Sequence, residues 1–424
     1  MPSSTAVAAD PAIGSRLWWL PLGLALVFSV FWTPWECVWD GHFFFSESTS
    51  SGFDVFHLSY FQNPGAASAD AFYRPLDRLR LEAGYRWGGW LGVILPMALL
   101  HILGTWGMMR LMGPGSATLA LAILYAVHPL FSEPLHYLPG QADVAITTGL
   151  VWILLLNRSG LPIWALIISL VAPWLKESAW VLPLIHLAHR PPRCRWHGLA
   201  VIGMACLWYG SRPEGIGLYR HADNLETLIK GLSVSVTMLP RALMSLVGVN
   251  LEERGHFVLV DGVRWLALWI LFPVVLYRLR GHARLFVALL LVGTLQHVLA
   301  VTEDASGQLW MPWSSRFYVL SLPVLILWVR PRLESGWTSL RAAILLLTAC
   351  FCALMHVGHA GYWSNDVVLW RSMTRESVGI KSYWHNRVMA EWMAGHVEEA
   401  RAAAEAAGRL GLVELAQDER FKVR

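Results

Sequence analysis

Apolar runs with hardly a charge in them recur along this chain from near its start to within 70 residues of its end, and they leave room for few architectures. They lie at 17–35, 87–109, 111–131, 144–157, 161–175, 178–188, 198–209, 265–277, 285–301, 317–329 and 342–357. A helix needs about 20 apolar residues to cross a hydrocarbon core about 30 Å thick, and shorter runs suit helices that stand upright or are shielded by neighbours. Inside that core each backbone N–H and C=O must find its partner within the segment, which selects helices for runs that do not alternate. Composition agrees. With 55% hydrophobic and 15% charged residues and a mean hydropathy of +0.46, 424 residues carry too little charge to cover a soluble globule. The expected class is all-α, a polytopic membrane protein of about 11 transmembrane helices.

Arginines set the orientation. Arg16, Arg110, Arg158, the Arg190/Arg193/Arg195 cluster, Arg278/Arg280/Arg284 and Arg330/Arg332/Arg341 fall at alternate ends of the runs, as positive-inside sorting requires. The tail 1–16 is then cytoplasmic and the membrane domain covers 17–360. An odd number of spans puts the tail 361–424 outside, together with the loops 36–86, 132–143, 176–177, 211–262 and 303–316. Within 226–250 an apolar pattern is interrupted by Lys230, Pro240 and Arg241, which fits an interfacial or re-entrant helix pair. The first run leads into Trp32, Trp35 and Trp39 with no small-residue cleavage site, so it reads as an anchor. Cys37, Cys194, Cys206, Cys350 and Cys352 have neither metal-type spacing nor a disulfide framework. The basic residues form short clusters between apolar runs instead of one face, so a nucleic-acid partner is not expected.

Ionisable residues at the ends of spans are costly and call for a reason. Here they gather on the outer side: Glu36, Asp40, Asp54, Arg74, Asp77, His128, Glu133, Asp143, Lys176, Glu177, Glu303, Asp304 and Arg316. Some 30 residues separate Trp39-Asp40 from Tyr73-Arg74-Pro75-Leu76. A carboxylate at this depth can take the proton of an attacking hydroxyl, and Arg or Lys can hold a phosphate that departs with negative charge. Each residue also has a plainer reading. Asp40 suits a solvated loop, Arg74 a cation snorkelling to the headgroups, and Lys176-Glu177 a neutralised helix start. His101, His186, His297 and His356 lie in or beside spans and read as hydrogen-bonded intramembrane histidines before metal ligands. Trp310 and Trp313, close to Arg316, suit sugar stacking or lipid contact. No nucleotide-binding loop, haem attachment sequence or Ser-His-Asp order is present.

The order of these short segments resembles a known family. Trp39-Asp40, Tyr73-Arg74-Pro75-Leu76, His128-Pro129-Leu130-Phe131-Ser132-Glu133 running into Gly140-Gln141-Ala142-Asp143, Lys176-Glu177-Ser178 and Ser315-Arg316-Phe317-Tyr318 follow one another as in the transmembrane and tetratricopeptide-repeat O-mannosyltransferases. Those enzymes belong to the GT-C glycosyltransferases. The resemblance implies a multispan GT-C-like fold in a bacterial inner membrane. It also implies transfer of mannose or another hexose from a polyprenyl-phosphate donor to a protein or glycan acceptor on the periplasmic side. Asp40 would be the catalytic base, and Arg74, Lys176 and Arg316 would hold the donor phosphate. Glu133, Asp143, Glu177 and Trp313 would bind sugar or acceptor. The lipid-linked donor is the one cofactor-like molecule implied; a divalent metal is compatible with such a site but nothing in the sequence calls for one. Two positions depart from the family: Gly41 follows Asp40 where a second acid is usual, and Gln141 replaces the arginine of Arg-Ala-Asp.

The tail fits the same resemblance. Residues 383–408 read as a helix, a turn at Gly395-His396 and a second helix, with Trp384, Ala400, Ala404 and Ala407 near tetratricopeptide spacing. One such pair cannot bury a core alone, so it must lean on the membrane domain, on a degenerate pair near 413–420 or on a protein partner. The Ala400 to Ala407 face reads as helix packing and not as a peptide groove. Two non-enzymatic readings remain. A transporter or flippase of lipid-linked glycans should show inverted repeats and charges facing both sides, and neither is found. A catalytically inactive scaffold with a docking tail is compatible with Gly41 and Gln141.

Overall fold

The computed structural model describes residues 17–30, 74–189, 194, 196–211, 281–299, 302–303, 309–310, 318–376 and 381–411. Asp40, Trp313 and Arg316, the run at 265–277, the interrupted pattern at 226–250 and the segment 413–420 lie outside these residues, as does the side chain of Glu303. The described chain is helical apart from one antiparallel pair of two-residue strands, Thr302–Glu303 with Leu309–Trp310. The helices are α1 Trp19–Val30, α2 Pro75–Met112, α3 Ser116–Val127, α4 Ser132–His136, α5 Gln141–Arg158, α6 Pro162–Val171, α7 Val181–His189, α8 His197–Gly210, α9 Gly281–Leu299, α10 Ser321–Glu334, α11 Ser339–Tyr362, α12 Asp366–Glu376, α13 Lys381–Met393 and α14 Val397–Arg409. Every apolar run that the described residues cover overlaps one of them. Among the described residues, three stretches are long and apolar enough to cross a membrane: Pro75–Met112, Ala117–His136 and Ser339–Tyr362.

Boundaries moved where backbone chemistry dictates. The apolar run at 111–131 is not one helix, because the residue before a proline is pushed out of the helical region. His128 accordingly sits at φ −66°, ψ 132° ahead of Pro129, and its Nδ1 accepts the Leu130 N–H at 3.2 Å. In the other direction, α5 begins at Gln141 and draws Asp143 into its first turn, where a helix N-terminus favours a carboxylate.

Helices α2 and α5 form the axis of the membrane half and run parallel. Their contacts climb in step: Thr148 Oγ1 donates to the Leu100 carbonyl at 2.9 Å, Trp152 Nε1 to Leu103 at 3.3 Å and Arg158 Nη1 to Leu111 at 2.7 Å. Small residues allow this approach. A Cβ on Gly104 would stand 2.8 Å from Thr148 Oγ1, and one on Gly107 2.9 Å from Val151 Cγ1, the close backbone packing that membrane helices achieve with glycine. Helix α3 returns beside them, and Tyr125, Phe131, Leu150, Ile153 and Tyr318 are fully buried in the resulting core.

Near its start α2 is broken. Gly89 adopts φ 56°, ψ −143°, a conformation that side chains resist. The 14 residues before Gly89 fold back on the helix that follows, close enough for a Cβ on Gly92 to overlap the Gly84 carbonyl. That fold-back delivers Arg74, Asp77 and Arg80 to the N-terminal end of α5.

At the other end of the chain, Tyr137 stacks on Trp363 with ring centroids 4.6 Å apart. Leu369, Trp370, Met373 and Tyr383 complete this cluster, so the tail helices lean on the membrane half beside the α4–α5 connection. Ala400, Ala403 and Ala404 pack with Val388 of α13, making the alanine face a helix contact.

One buried acid organises the tail. Glu391 accepts from Arg371 at 2.5 and 2.7 Å and pairs with His396 Nδ1 at 3.1 Å, with Arg387 3.7 Å away. Burial pushes its carboxyl up, but hydrogen bonds from Arg371 and His396 and the charges of Arg371 and Arg387 outweigh this and hold it below the ordinary 4.5. A carboxylate depressed in the folded state contributes stability that is complete above its unfolded value and is lost as pH falls through the folded one. Hydrogen-exchange protection of α13 and α14, corrected for intrinsic exchange, should therefore hold near neutrality and decline below pH 4.5. Glu391→Gln should start lower and respond less to pH. A variant with the wild-type pH profile would assign the loss to another carboxylate.

Candidate functional site

Three elements far apart in sequence meet at one end of the membrane half: the N-terminus of α2, the N-terminus of α5 and the turn that carries Lys176 and Glu177 ahead of α7. Arg74 precedes Pro75, whose fixed φ starts the helix. Its guanidinium grips Glu177 as a fork, Nε at 3.0 Å and Nη2 at 2.8 Å from the two carboxylate oxygens. Lys176 donates to both oxygens of Asp143 at 2.7 Å. The backbone at Lys176 is extended, φ −165° and ψ 147°, so consecutive side chains leave it in opposite directions. Lys176 and Glu177 therefore pair across elements and not with each other.

A third pair extends the cluster. Arg80 donates Nε and Nη2 to Asp77 Oδ1 at 3.0 and 2.8 Å, and Nη1 to Gln141 Oε1 at 2.9 Å and to the Val93 carbonyl at 3.4 Å. Gln141 thus receives a guanidinium from another helix. Asp77 and Arg80 are spaced i, i+3 at a helix start, the arrangement in which opposite charges meet on one face. That spacing is the sequence signal for Arg80. Arg78 is also buried at this end.

The ion pairs of the site are largely buried. Lys176 and Asp143 side chains are 5% and 4% exposed, those of Arg74 and Glu177 8% and 11%. Taking an ion out of water costs several kcal/mol, so such pairs persist only with close geometry, as here. Three cations, Arg74, Arg80 and Lys176, face three carboxylates, Asp77, Asp143 and Glu177. Of the eight residues expected at a site, Arg74, Asp143, Lys176 and Glu177 come together. Glu133 lies half-buried in the first turn of α4, whose Leu135 carbonyl is 3.5 Å from Gln141 Nε2. Asp40, Trp313 and Arg316 fall outside the described residues.

The histidines divide. His186 shares a 2.8 Å hydrogen bond with His197, and His101 meets the Ala126 carbonyl at 3.0 Å. His356 Nδ1 donates to the His128 carbonyl at 3.2 Å. His136, which the sequence did not single out, is buried with neither ring nitrogen bonded and has the ring of His356 5.7 Å away. Among the described residues no group of three or more His, Cys, Asp or Glu is placed to hold a metal ion.

No family model, no curated protein and no solved structure matches this chain. What its site does therefore rests on the residues themselves.

Proposed function

We propose that the chain is a membrane glycosyltransferase of the GT-C type with about eleven spans, moving a hexose such as mannose from a polyprenyl-phosphate donor to a protein or glycan acceptor at the periplasmic face. One observation carries the proposal: Arg74, Asp143 and the Lys176-Glu177 pair, from three separate sequence segments, converge in one buried cluster. Phosphate as leaving group explains why a site at membrane depth would keep two cations. Arg74 and Lys176 would take the departing lipid phosphate, joined by Arg316. Asp40 would accept the proton of the acceptor hydroxyl. Glu133, Asp143, Glu177 and Trp313 would bind sugar or acceptor, and the tail, read as one tetratricopeptide-like pair, would meet a protein partner.

The carboxylates on Arg74 and Lys176 give the donor a defined task. The phosphate must displace or share Glu177 and Asp143, exchanging one charge-assisted contact for another at little net cost. The same pairing favours a second reading, an inactive scaffold whose ion pairs hold three elements together.

Donor binding separates the two. Detergent-purified protein should prefer a polyprenyl phosphate over the neutral polyprenol. Arg74→Ala should abolish that preference, and Arg74→Lys should restore part of it, because lysine keeps the charge and loses the fork. Equal affinity of the wild type for both lipids would sink the transferase reading and leave the scaffold.

A further inference from the structure

A second polar site lies at the opposite end of α5. Asp143 and Arg158 stand fifteen residues apart on this helix, about 22 Å at 1.5 Å per residue, so the two sites are separated by most of a bilayer core. Here a cavity of about 210 Å³ lies where α2, α5, α7, α9 and α10 meet. Arg158, His189, His282 and Asn157 line it, and Leu154 and Leu327 add apolar surface.

The chemistry of this cavity is the reverse of the ion-pair cluster. There, Arg74, Arg80 and Lys176 each have a carboxylate; here Arg158 spends Nη1 on the Leu111 carbonyl and has no carboxylate partner among the described residues. His189 uses Nδ1 on the Ile185 carbonyl, which leaves Nε2 for a ligand. The three groups come from α5, α7 and α9, so the fold, not one local run, gathers them. Histidine 282 precedes the apolar run at 285–301; partial burial, then the charges of His189 and Arg158, hold it below the ordinary histidine value. An anion among them would relieve that repulsion.

We propose that this cavity binds a phosphate group, carried by an anionic lipid. Arg158 supplies a planar donor fork that suits phosphate oxygens, and His189 and His282 supply ring N–H donors. Size narrows the ligand. Pockets for drug-sized molecules run from about 300 to 1,000 Å³; about 210 Å³ suits a headgroup and its first carbons. The leucine surface suits the glycerol and upper acyl carbons of a lipid more than a free ion. Basic pockets between helices at a membrane surface bind acidic headgroups by this combination.

The full-length protein in neutral detergent can be tested by native mass spectrometry with added phosphatidic acid, against diacylglycerol as the uncharged match. Wild type should retain phosphatidic acid and not diacylglycerol. Arg158→Gln and His282→Gln should each lower retention several-fold, and together by about tenfold or more. His282 is exposed, so its replacement reports on binding even where Arg158→Gln disturbs the α2 contact; melting temperatures identify that case. Millimolar inorganic phosphate that competes fully would identify free phosphate as the ligand of the same site, and failure to compete would identify the lipid. Undiminished retention in the folded double variant, or equal retention of the two lipids by wild type, would overturn the proposal.

Discussion

Asp40→Asn should cut sugar transfer by about 10²–10⁴ while donor binding and folding stay near wild type. The amide is nearly isosteric with the carboxylate, so no cavity opens and the change removes only proton acceptance. The phosphate contacts assigned to Arg74 and Lys176 do not depend on it. Transfer from a radiolabelled polyprenyl-phosphate sugar in isolated membranes measures the rate, and retention of the unlabelled lipid on the purified variant measures binding. Full activity would remove Asp40 as the base. Suspicion would then move to Glu133 before Asp143, since both oxygens of Asp143 are already occupied by the Lys176 ammonium 2.7 Å away.

Much of the fold could be read from the runs themselves, because a membrane span carries its signal in local composition. The helix pair over 383–408 was legible for a similar reason: its turn at Gly395-His396 and its alanine face are local. Breaks were harder. Pro129 divides an apolar run that hydropathy alone joins, and Gly89 turns an apparently continuous stretch back on itself. The candidate site was half legible. Arg74, Asp143, Lys176 and Glu177 stood out as charges at span ends, but their pairing depends on which helices are neighbours. Nothing in the adjacency of Lys176 and Glu177 says that one reaches α5 and the other the start of α2. Arg80 was missed because its value comes from the fold-back at Gly89, and His136 because an unbonded ring is a property of its surroundings. The cavity at Arg158 belongs to the same class, being assembled from residues on α5, α7 and α9.

The Lys176 and Asp143 pair can be made to say whether the cluster is scaffold or site. Lys176→Met alone leaves a buried carboxylate with its cation gone, and Asp143→Leu alone leaves a buried ammonium. Each should cost about 3–5 kcal/mol of stability. The double variant removes both charges and fills the space with side chains of similar bulk, a replacement that is often neutral or stabilising. Thermal melting in detergent should therefore fall in both single variants and recover in the double. Transfer should not recover, because the oxygens of a leaving phosphate find no ammonium there; the loss expected for one electrostatic contact in a buried site is about 10²–10³ in rate. Stability restored with activity absent would give the pair a functional role over and above its structural one. Stability and transfer both restored would make it a strut between α5 and the turn before α7, and would leave Arg74 as the cation on which the phosphate depends.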